Sequence, residues 1–301
     1  SGHLFGCIQS WQALAKEHHC YLGIRNLHAL TVQQDPKQLT DNIWDAIALY
    51  IACGFDPNEH CLFIQSEVPQ HTQLAWFLSC HTPIGQLMRM TQYKDKSSNQ
   101  DDTNTGLLVY PILMTADILL YDADCVPVGD DQKQHLELTR DIAGRINHKH
   151  GRVFKIPDPY IRQTGSRIMS LQDPLKKMSK SDPNQNSYIA LTDNDSQIKK
   201  KIMRAVTDSQ AHVAYDQNRA GISNLIELYQ LLSNETKEAI ENRYATTGYK
   251  PFKEDLADYL IDFLSPIRER FMNIRSDQTT LKDNARQGNE KAQQRAANTL
   301  A

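Results

Sequence analysis

Short apolar segments alternate with helical segments over the first part of the chain, and this alternation limits the folds that it can adopt. Residues 20–32, 61–65 and 126–129 are apolar and short enough to be buried strands. After the first of them, Asp35-Pro36 offers a helix N-cap followed by proline at the first helical position. Strands separated by helices predict a parallel sheet with helices on both faces.

Strand signals stop after about residue 185, and the remaining sequence has the composition and spacing of helices. The predicted helices cover residues 196–205, 224–232, 235–245, 253–275 and 289–300. We therefore predict a doubly wound α/β domain over residues 1–183 and a helical domain over residues 184–275. The last segment, residues 276–301, is expected to pack back on the first domain.

The charge balance excludes nucleic-acid binding through overall charge. The chain has 301 residues, with 33 Lys and Arg against 36 Asp and Glu, and a net charge of −3. A nucleic-acid partner would therefore need a local basic surface. One candidate is the face formed by Lys199, Lys200, Lys201 and Arg204, although a lysine run is more often merely solvated.

The six cysteines and the apolar pattern bear on metal binding and location. No two cysteines show the Cys-x-x-Cys spacing, so we expect reduced thiols and no structural metal. The chain has neither a long apolar run nor a signal-peptide pattern at its start. We expect a soluble, cytoplasmic protein without a membrane segment.

The strongest local signal for chemistry is Lys177-Met178-Ser179-Lys180-Ser181. Two lysines and two hydroxyls within five residues can surround the dispersed negative charge of a polyphosphate. The competing interpretation is a solvated, lysine-rich turn. The motif by itself is therefore only suggestive.

A second signal lies where an apolar strand ends in Gly129 and a helix opens with Asp130 and Asp131. Ligands of parallel α/β sheets bind at the carboxyl ends of strands, and Gly129 would let a nucleotide approach the backbone. Acidic residues at a helix start are also favoured by the helix dipole, so a plain capped helix is an equal alternative.

Two further positions carry polar groups within apolar surroundings. Asp117 is a single carboxylate within the run ADILLY, where burial is costly without a dedicated partner, or where it could simply cap a helix. His28 is predicted at the end of the first apolar strand, where a satisfied core histidine is the more common outcome.

Taken together and in order, these segments resemble the bacterial-type tryptophanyl-tRNA synthetases, which are class I synthetases. The resemblance covers nearly the whole chain and includes IQSEVPQH from Ile64, ADILLY, VPVGDDQKQH from Val126, AVTDS from Ala205 and GISNL from Gly221. It implies a Rossmann-like catalytic domain and an anticodon-binding helical domain.

The resemblance also implies roles for individual residues. The tryptophan site would comprise Asp117 as the acceptor of the indole N–H, Met114, His28, Val126 and Val128 as pocket walls, and Tyr110 and Gln132 near the ammonium group. The ATP site would comprise Gly129, Asp130, Asp131 and Ile168 near adenosine, with Lys177, Met178, Ser179, Lys180, Ser181 and Lys96 near the phosphates. The residues credited with catalysis are Lys177, Ser179, Lys180 and Ser181.

The activity that the resemblance implies is ATP-dependent activation of L-tryptophan and its transfer to tRNA(Trp) by a homodimer. Mg²⁺ would arrive as part of the ATP complex.

Two departures from the family pattern concern residues near the start of the chain. Leu4 runs directly into Phe5 where the family carries a Thr-x-Gly-Asn signature, so we expect a few residues and the first strand to be absent. Asn26 stands where the family usually has Asp.

Two alternatives remain open. A synthetase-derived protein that binds tryptophan or RNA without catalysis would explain the departures, although the intact lysine motif argues against it. A tyrosine-specific relative is the alternative among enzymes.

Overall fold

The structure, a computed structural model, describes residues 14–97, 104–129, 132–160, 168–179 and 182–301, with only the backbone of Lys96 and Ser97. The junction of Leu4 with Phe5 lies outside these ranges. The chain divides into two compact units, each described by itself. The sheet unit comprises residues 17–163 and 274–301, and the helical unit comprises residues 164–273 with residues 14–16.

Parallel strand pairs organise the sheet unit, as the alternating pattern predicts. Strand β1 (Tyr21–Ile24) pairs in parallel with β2 (Cys61–Ile64), and Ile24 lies opposite Ile64. Strand β3 (Cys125–Pro127) pairs in parallel with β4 (Asp158–Tyr160). Every residue of β2 is buried, in keeping with its continuous apolar sequence.

Two helices of the sheet unit begin at a side chain that caps them, Asp35 and Asn104. The Asp35 side chain accepts a hydrogen bond from Gln38 N at 2.8 Å, which confirms the helix start predicted at Asp35-Pro36. Asn104 caps a later helix by accepting from Leu107 N at 3.0 Å. In chain order, the helices of the sheet unit before its last helix are α1 (Asn26–Ala29), α2 (Pro36–Ala52), α3 (Gln70–Ser79), α4 (Ile84–Met88), α5 (Thr91–Ser97), α6 (Thr105–Leu119) and α7 (Lys133–His150).

The first predicted strand is shorter than expected. Strand β1 ends at Ile24, and residues 26–29 form the turn α1, so His28 lies on a helical turn rather than at a strand end. Side chains that follow β2 hold this turn: Leu27 N donates to Gln65 Oε1 at 3.1 Å. A tertiary contact therefore overrides the local β preference of this segment.

Helices alone follow residue 190 in the helical unit, as predicted. They are α8 (Asp195–Met203), α9 (Ala220–Ser233), α10 (Lys237–Tyr244) and α11 (Tyr249–Ser276), of which α11 belongs to this unit as far as residue 273. Their apolar faces meet around the buried side chains of Leu225, Tyr229, Phe252 and Leu256.

The helical unit begins earlier in the chain than the predicted boundary at residue 184. The cause lies in Asn224 of α9, which binds both backbone groups of Met169. Its Oδ1 accepts from Met169 N at 2.8 Å, and its Nδ2 donates to Met169 O at 3.0 Å. This amide fastens residues 168–179 to the helices, although their sequence is not helical.

The last helix, α12 (Gln278–Leu300), packs against β2 in the sheet unit. The approach is closest at Gly288, where an added Cβ would lie 1.8 Å from Leu62 O. Gly288, Ala292 and Ala296 repeat every four residues and are all buried. Small residues at this spacing let the helix backbone meet the strand.

We expect Gly288→Ala to lower the free energy of unfolding by about 3 kcal/mol or more, because the methyl group forces the helix away from β2. Gly144→Ala is the matched control, because a Cβ there meets nothing within 4 Å. That control is expected to stabilise the protein by about 0.5–1 kcal/mol. Urea denaturation of both variants measures the difference, and equal effects would contradict the close approach.

Candidate active site

The buried carboxylate of Asp117 is the centre of a polar cluster in the sheet unit. Its side chain is only 5 % exposed. Gln65 Nε2 donates to both carboxylate oxygens, at 2.8 and 2.9 Å. His71 Nδ1 lies 2.6 Å from Oδ1, and Arg25 Nη1 lies 2.5 Å from Oδ2. Asp117 therefore has the dedicated partners that its burial requires.

The helix-cap alternative for Asp117 is wrong. Helix α6 starts at Thr105 and is capped by Asn104, so Asp117 lies near the C-terminal end of the helix. The free backbone groups at that end are carbonyls, from which a carboxylate cannot accept a hydrogen bond. Its hydrogen bonds in the described residues go to side chains of other segments.

The parallel strands explain why these partners converge. Arg25 follows β1 and Gln65 follows β2, and the carboxyl ends of parallel neighbours meet at one edge of the sheet. Ligands of α/β folds bind at this edge. His71 comes from α3, and its Nε2 lies 2.8 Å from the Tyr121 hydroxyl, which fixes the ring.

The cluster keeps Asp117 ionised. Burial by itself would raise the pKa of Asp117, but the charge of Arg25 and the hydrogen bond from His71 outweigh it, and the pKa lies below its ordinary value. Burial lowers the pKa of His28, against the attraction of Asp117. The site therefore holds Asp117 as an anion that is paired with the Arg25 guanidinium.

His28 and Tyr110 lie beside this charge. His28 Nδ1 lies 3.8 Å from Asp117 Oδ2, while its buried Nε2 has no hydrogen-bond partner among the described residues. The rings of His28 and Tyr110 meet edge to face at 6.1 Å between centroids. The Tyr110 hydroxyl donates to Gln92 Oε1 at 2.9 Å, and burial raises its pKa to about 12.

The remaining residues predicted for tryptophan lie on or beside three elements, namely α6, β3 and α7. Met114 is half-buried on α6, one turn from both Tyr110 and Asp117, so the three share a helix face. Val126 and Val128 are half-buried on and just after β3. Gln132 is the N-cap residue of α7, and its backbone N–H donates to Gly129 O at 2.9 Å.

Sequence reasoning missed Arg25, Gln65 and His71 as parts of the cluster. Gln65 and His71 lie within IQSEVPQH, but the motif alone gives them no role. The available signal was position: a buried amide directly after an apolar parallel strand is a candidate for the binding edge.

The lysine motif belongs to the helical unit. Met169 and Lys177 form an antiparallel bridge, and Met178 N donates to Ile168 O at 3.1 Å. Ile168 and Met178 are buried, while Lys177 and Ser179 are exposed. The buried Met178 therefore anchors a segment whose polar neighbours face solvent.

Several predicted residues fall outside the described part of the chain. Asp130, Asp131, Lys180 and Ser181 are not described, nor is the side chain of Lys96. Within the described ranges, no three His, Cys, Asp or Glu side chains are grouped to hold a metal ion. No described helix is long and apolar enough to cross a membrane.

The predicted basic face of α8 is wrong in one member. Lys201 is buried, with its Nζ 2.6 Å from Asp193 Oδ2 and 5.1 Å from the centroid of the Tyr188 ring. The helical period turns this lysine toward the interior, where an ion pair and an aromatic face compensate its charge. Lys199, Lys200 and Arg204 remain exposed.

Comparisons with known proteins identify the family of this chain. The family described as tRNA synthetases class I (W and Y) matches residues 2–265. The tryptophan–tRNA ligase of Clostridium tetani is 47 % identical over 301 residues, which is 100 % of this chain and 89 % of that protein.

Two solved structures are similar over almost the whole chain. The tryptophanyl-tRNA synthetase of Mycoplasma pneumoniae has a TM-score of 0.89 and 34 % identity, covering 99 % of this chain and 91 % of the other. That of Campylobacter jejuni, complexed with ADP and tryptophan, has a TM-score of 0.86 and 31 % identity, covering 99 % and 92 %.

The chain belongs to the class I tRNA synthetases of the tryptophan and tyrosine family. Its resemblance to the bacterial-type tryptophanyl-tRNA synthetases is confirmed, and so is the α/β fold with a helical part.

The depressed pKa of Asp117 predicts a pH-dependent stability. The carboxylate stabilises the fold above its unfolded pKa of about 4, and this contribution is lost as the pH falls through the lower folded pKa. We therefore expect the free-energy difference between the parent and Asp117→Asn to be large at neutral pH and to shrink below about pH 4. Urea denaturation over this pH range measures it. The exposed Asp283→Asn is the control, and a penalty for Asp117→Asn that is independent of pH would contradict an ionised Asp117.

Proposed function

We propose that this protein activates L-tryptophan with ATP to tryptophanyl-adenylate and transfers the tryptophanyl group to tRNA(Trp). The observation that carries the proposal is the buried, ionised Asp117 at the carboxyl ends of parallel strands, in a chain 47 % identical to a tryptophan–tRNA ligase. A buried acceptor suits an amino acid with a polar N–H on an apolar ring.

Asp117 is proposed to accept the indole N–H. An ionised carboxylate has about four acceptor positions. The contacts from Gln65, His71 and Arg25 already occupy them, so one partner must give way. Arg25, with its side chain 46 % exposed, is the one that can move into solvent. We assign the walls of the indole pocket to Met114, His28, Val126 and Val128, and the ammonium contacts to Tyr110 and Gln132.

The chemistry needs no nucleophile from the protein. A carboxylate oxygen of tryptophan attacks the α-phosphorus of ATP, a new P–O bond forms, and the bond to pyrophosphate breaks. Catalysis therefore rests on positioning and charge stabilisation. Lys177, Ser179, Lys180 and Ser181 are proposed to stabilise the charge on the departing pyrophosphate, with Met178 as the anchor between them.

The remaining ATP contacts are proposed from the family resemblance. Gly129, Asp130, Asp131 and Ile168 would surround adenosine, and Lys96 would add a phosphate contact. ATP is expected as its magnesium complex, in which the ion belongs to the substrate. A reaction that uses ATP and tRNA is also consistent with a cytoplasmic protein.

The helical residues 184–275 are proposed to recognise the tRNA anticodon, and residues 1–183 with 276–301 to form the catalytic domain. Three exposed cations on and directly after α8 support this proposal, namely Lys199, Lys200 and Arg204. They can neutralise phosphates without reading bases.

A homodimer is proposed through an apolar surface on α3 and α4. Trp76, Ile84 and Met88 are 74 %, 64 % and 52 % exposed. Large apolar side chains on neighbouring helices of a soluble enzyme are typical of a protein interface, and aromatic residues are enriched at interface centres.

An ATP–pyrophosphate exchange assay tests the function. We expect exchange with tryptophan and neither with tyrosine nor without amino acid. Phenylalanine should be rejected by about ten-thousandfold, because it would leave Asp117 without its partner. Asp117→Ala should sharply lower the rate of tryptophan-dependent exchange and should reduce the preference for tryptophan over phenylalanine. Asp283→Ala, at an exposed carboxylate, should change neither the rate nor the preference. Tyrosine-dependent exchange would favour the tyrosine relative, and no exchange would favour a non-catalytic binding protein.

Sedimentation velocity tests the dimer. We expect the parent to sediment as a dimer and Trp76→Glu to sediment as a monomer, because a charge at the centre of an apolar interface cannot be solvated there. Leu175→Glu is the control, since Leu175 is equally exposed but lies in the helical unit. A monomeric parent, or dimers of Trp76→Glu, would contradict this surface.

A further inference from the structure

The C-terminal helix α12 binds backbone groups on both sides of the Asp117 cluster. Next to β2, Asn289 Oδ1 accepts from Ile64 N at 2.8 Å, and Gln293 Nε2 donates to Glu67 O at 2.5 Å. At the end of α6, Thr299 Oγ1 donates to Leu120 O at 2.7 Å. The segments that carry Gln65 and Asp117 are therefore both tied to one helix.

The bonds near β2 bracket one residue of the cluster. Ile64 directly precedes Gln65, and Glu67 follows it by two positions. Gln65 is almost fully buried, and its amide donates to both oxygens of Asp117. Helix α12 thus fixes the backbone on either side of the side chain that orients the carboxylate.

A second set of contacts from α12 holds the chain just after Asp117, the residue that Gln65 binds. Leu120 lies three residues after Asp117, and Arg295 of α12 forms an ion pair with Asp122. Asp122 has a positive φ of 46°, so the chain turns sharply there. Helix α12 therefore holds the end of the helix that presents Asp117.

We propose that α12 is a positioning element of the tryptophan site and that Asn289 is a positioning residue that acts through Gln65. The proposal rests on the proposed function. A hydrogen bond to a ligand weakens steeply with misalignment, so a small shift of Gln65 rotates the carboxylate away from the indole N–H. Asn289 touches neither substrate nor Asp117, and its effect must pass along β2.

Kinetic constants for the full-length enzyme test this role. Asn289→Leu removes the acceptor at similar volume and leaves Ile64 N without its bond. We expect the KM for tryptophan to rise about tenfold, the cost of one lost bond to a buried N–H, while the KM for ATP changes less than about twofold. Asn289→Asp keeps an oxygen acceptor and should restore the parent value.

A neighbouring residue supplies the control for the helix itself. Arg286→Ala lies one turn earlier on the exposed face of α12, where Arg286 binds Asp283 and Glu290 of the same helix. It should leave both KM values unchanged. Two results for Asn289→Leu would show a merely structural role and overturn the proposal. One is a similar rise in the KM values for tryptophan and for ATP. The other is a loss of thermal stability with neither KM value changed.

A double-mutant cycle tests the route through Gln65. In a Gln65→Leu background, Asn289→Leu should add less than about twofold to the KM for tryptophan, because the residue that it positions is gone. Additive effects would overturn the route.

The parent enzyme separates this inference from the proposed function. If the parent shows no tryptophan-dependent exchange, the proposed function fails and this inference fails with it. If the parent is active and Asn289→Leu has the same KM for tryptophan as the parent, only the proposed role of α12 fails.

Discussion

The structure of the sheet unit depends on a buried negative charge. An ionised carboxylate that leaves water must replace its hydration with hydrogen-bond donors of the protein, and for Asp117 these are Gln65, His71 and Arg25. They come from three separate segments of the chain. The ends of β1 and β2, helix α3 and helix α6 must therefore all be in place before the charge is compensated, which couples the pocket to the fold.

Helix α12 extends this coupling to the end of the chain. Its small residues Gly288, Ala292 and Ala296 allow the close approach to β2, and its polar residues bind the backbone beside Gln65. A bulky helix could cover the strand but could not reach its N–H and C=O groups. The pairs Gly288-Asn289 and Ala292-Gln293, one turn apart, each place a small residue against the strand and an amide within reach of backbone groups.

Local patterns of the sequence predict the elements better than the site. The start at Asp35-Pro36 and the parallel pairing follow from cap chemistry and from apolar segments separated by helices. The partners of Asp117 do not, because Gln65 and His71 meet it only after the strands pair. Lys201 shows the same limit, since it belongs to a run of lysines whose other members, Lys199 and Lys200, are exposed, while the helical period and the ion pair with Asp193 draw it inward.

The two units carry polar groups in opposite environments, and the proposed reaction explains why. Choosing one amino acid requires donors and acceptors that are fixed and dry, as around Asp117, because an unpaired buried group penalises the wrong ligand. Stabilising pyrophosphate requires cations that stay charged before the substrate arrives, and Lys177 is exposed accordingly. Burying the lysine would disfavour its charge, whereas exposing Asp117 would let water compete with the indole N–H that is proposed to bind there. Selectivity and charge stabilisation therefore cannot be built from the same kind of environment, and the chain provides one in each unit.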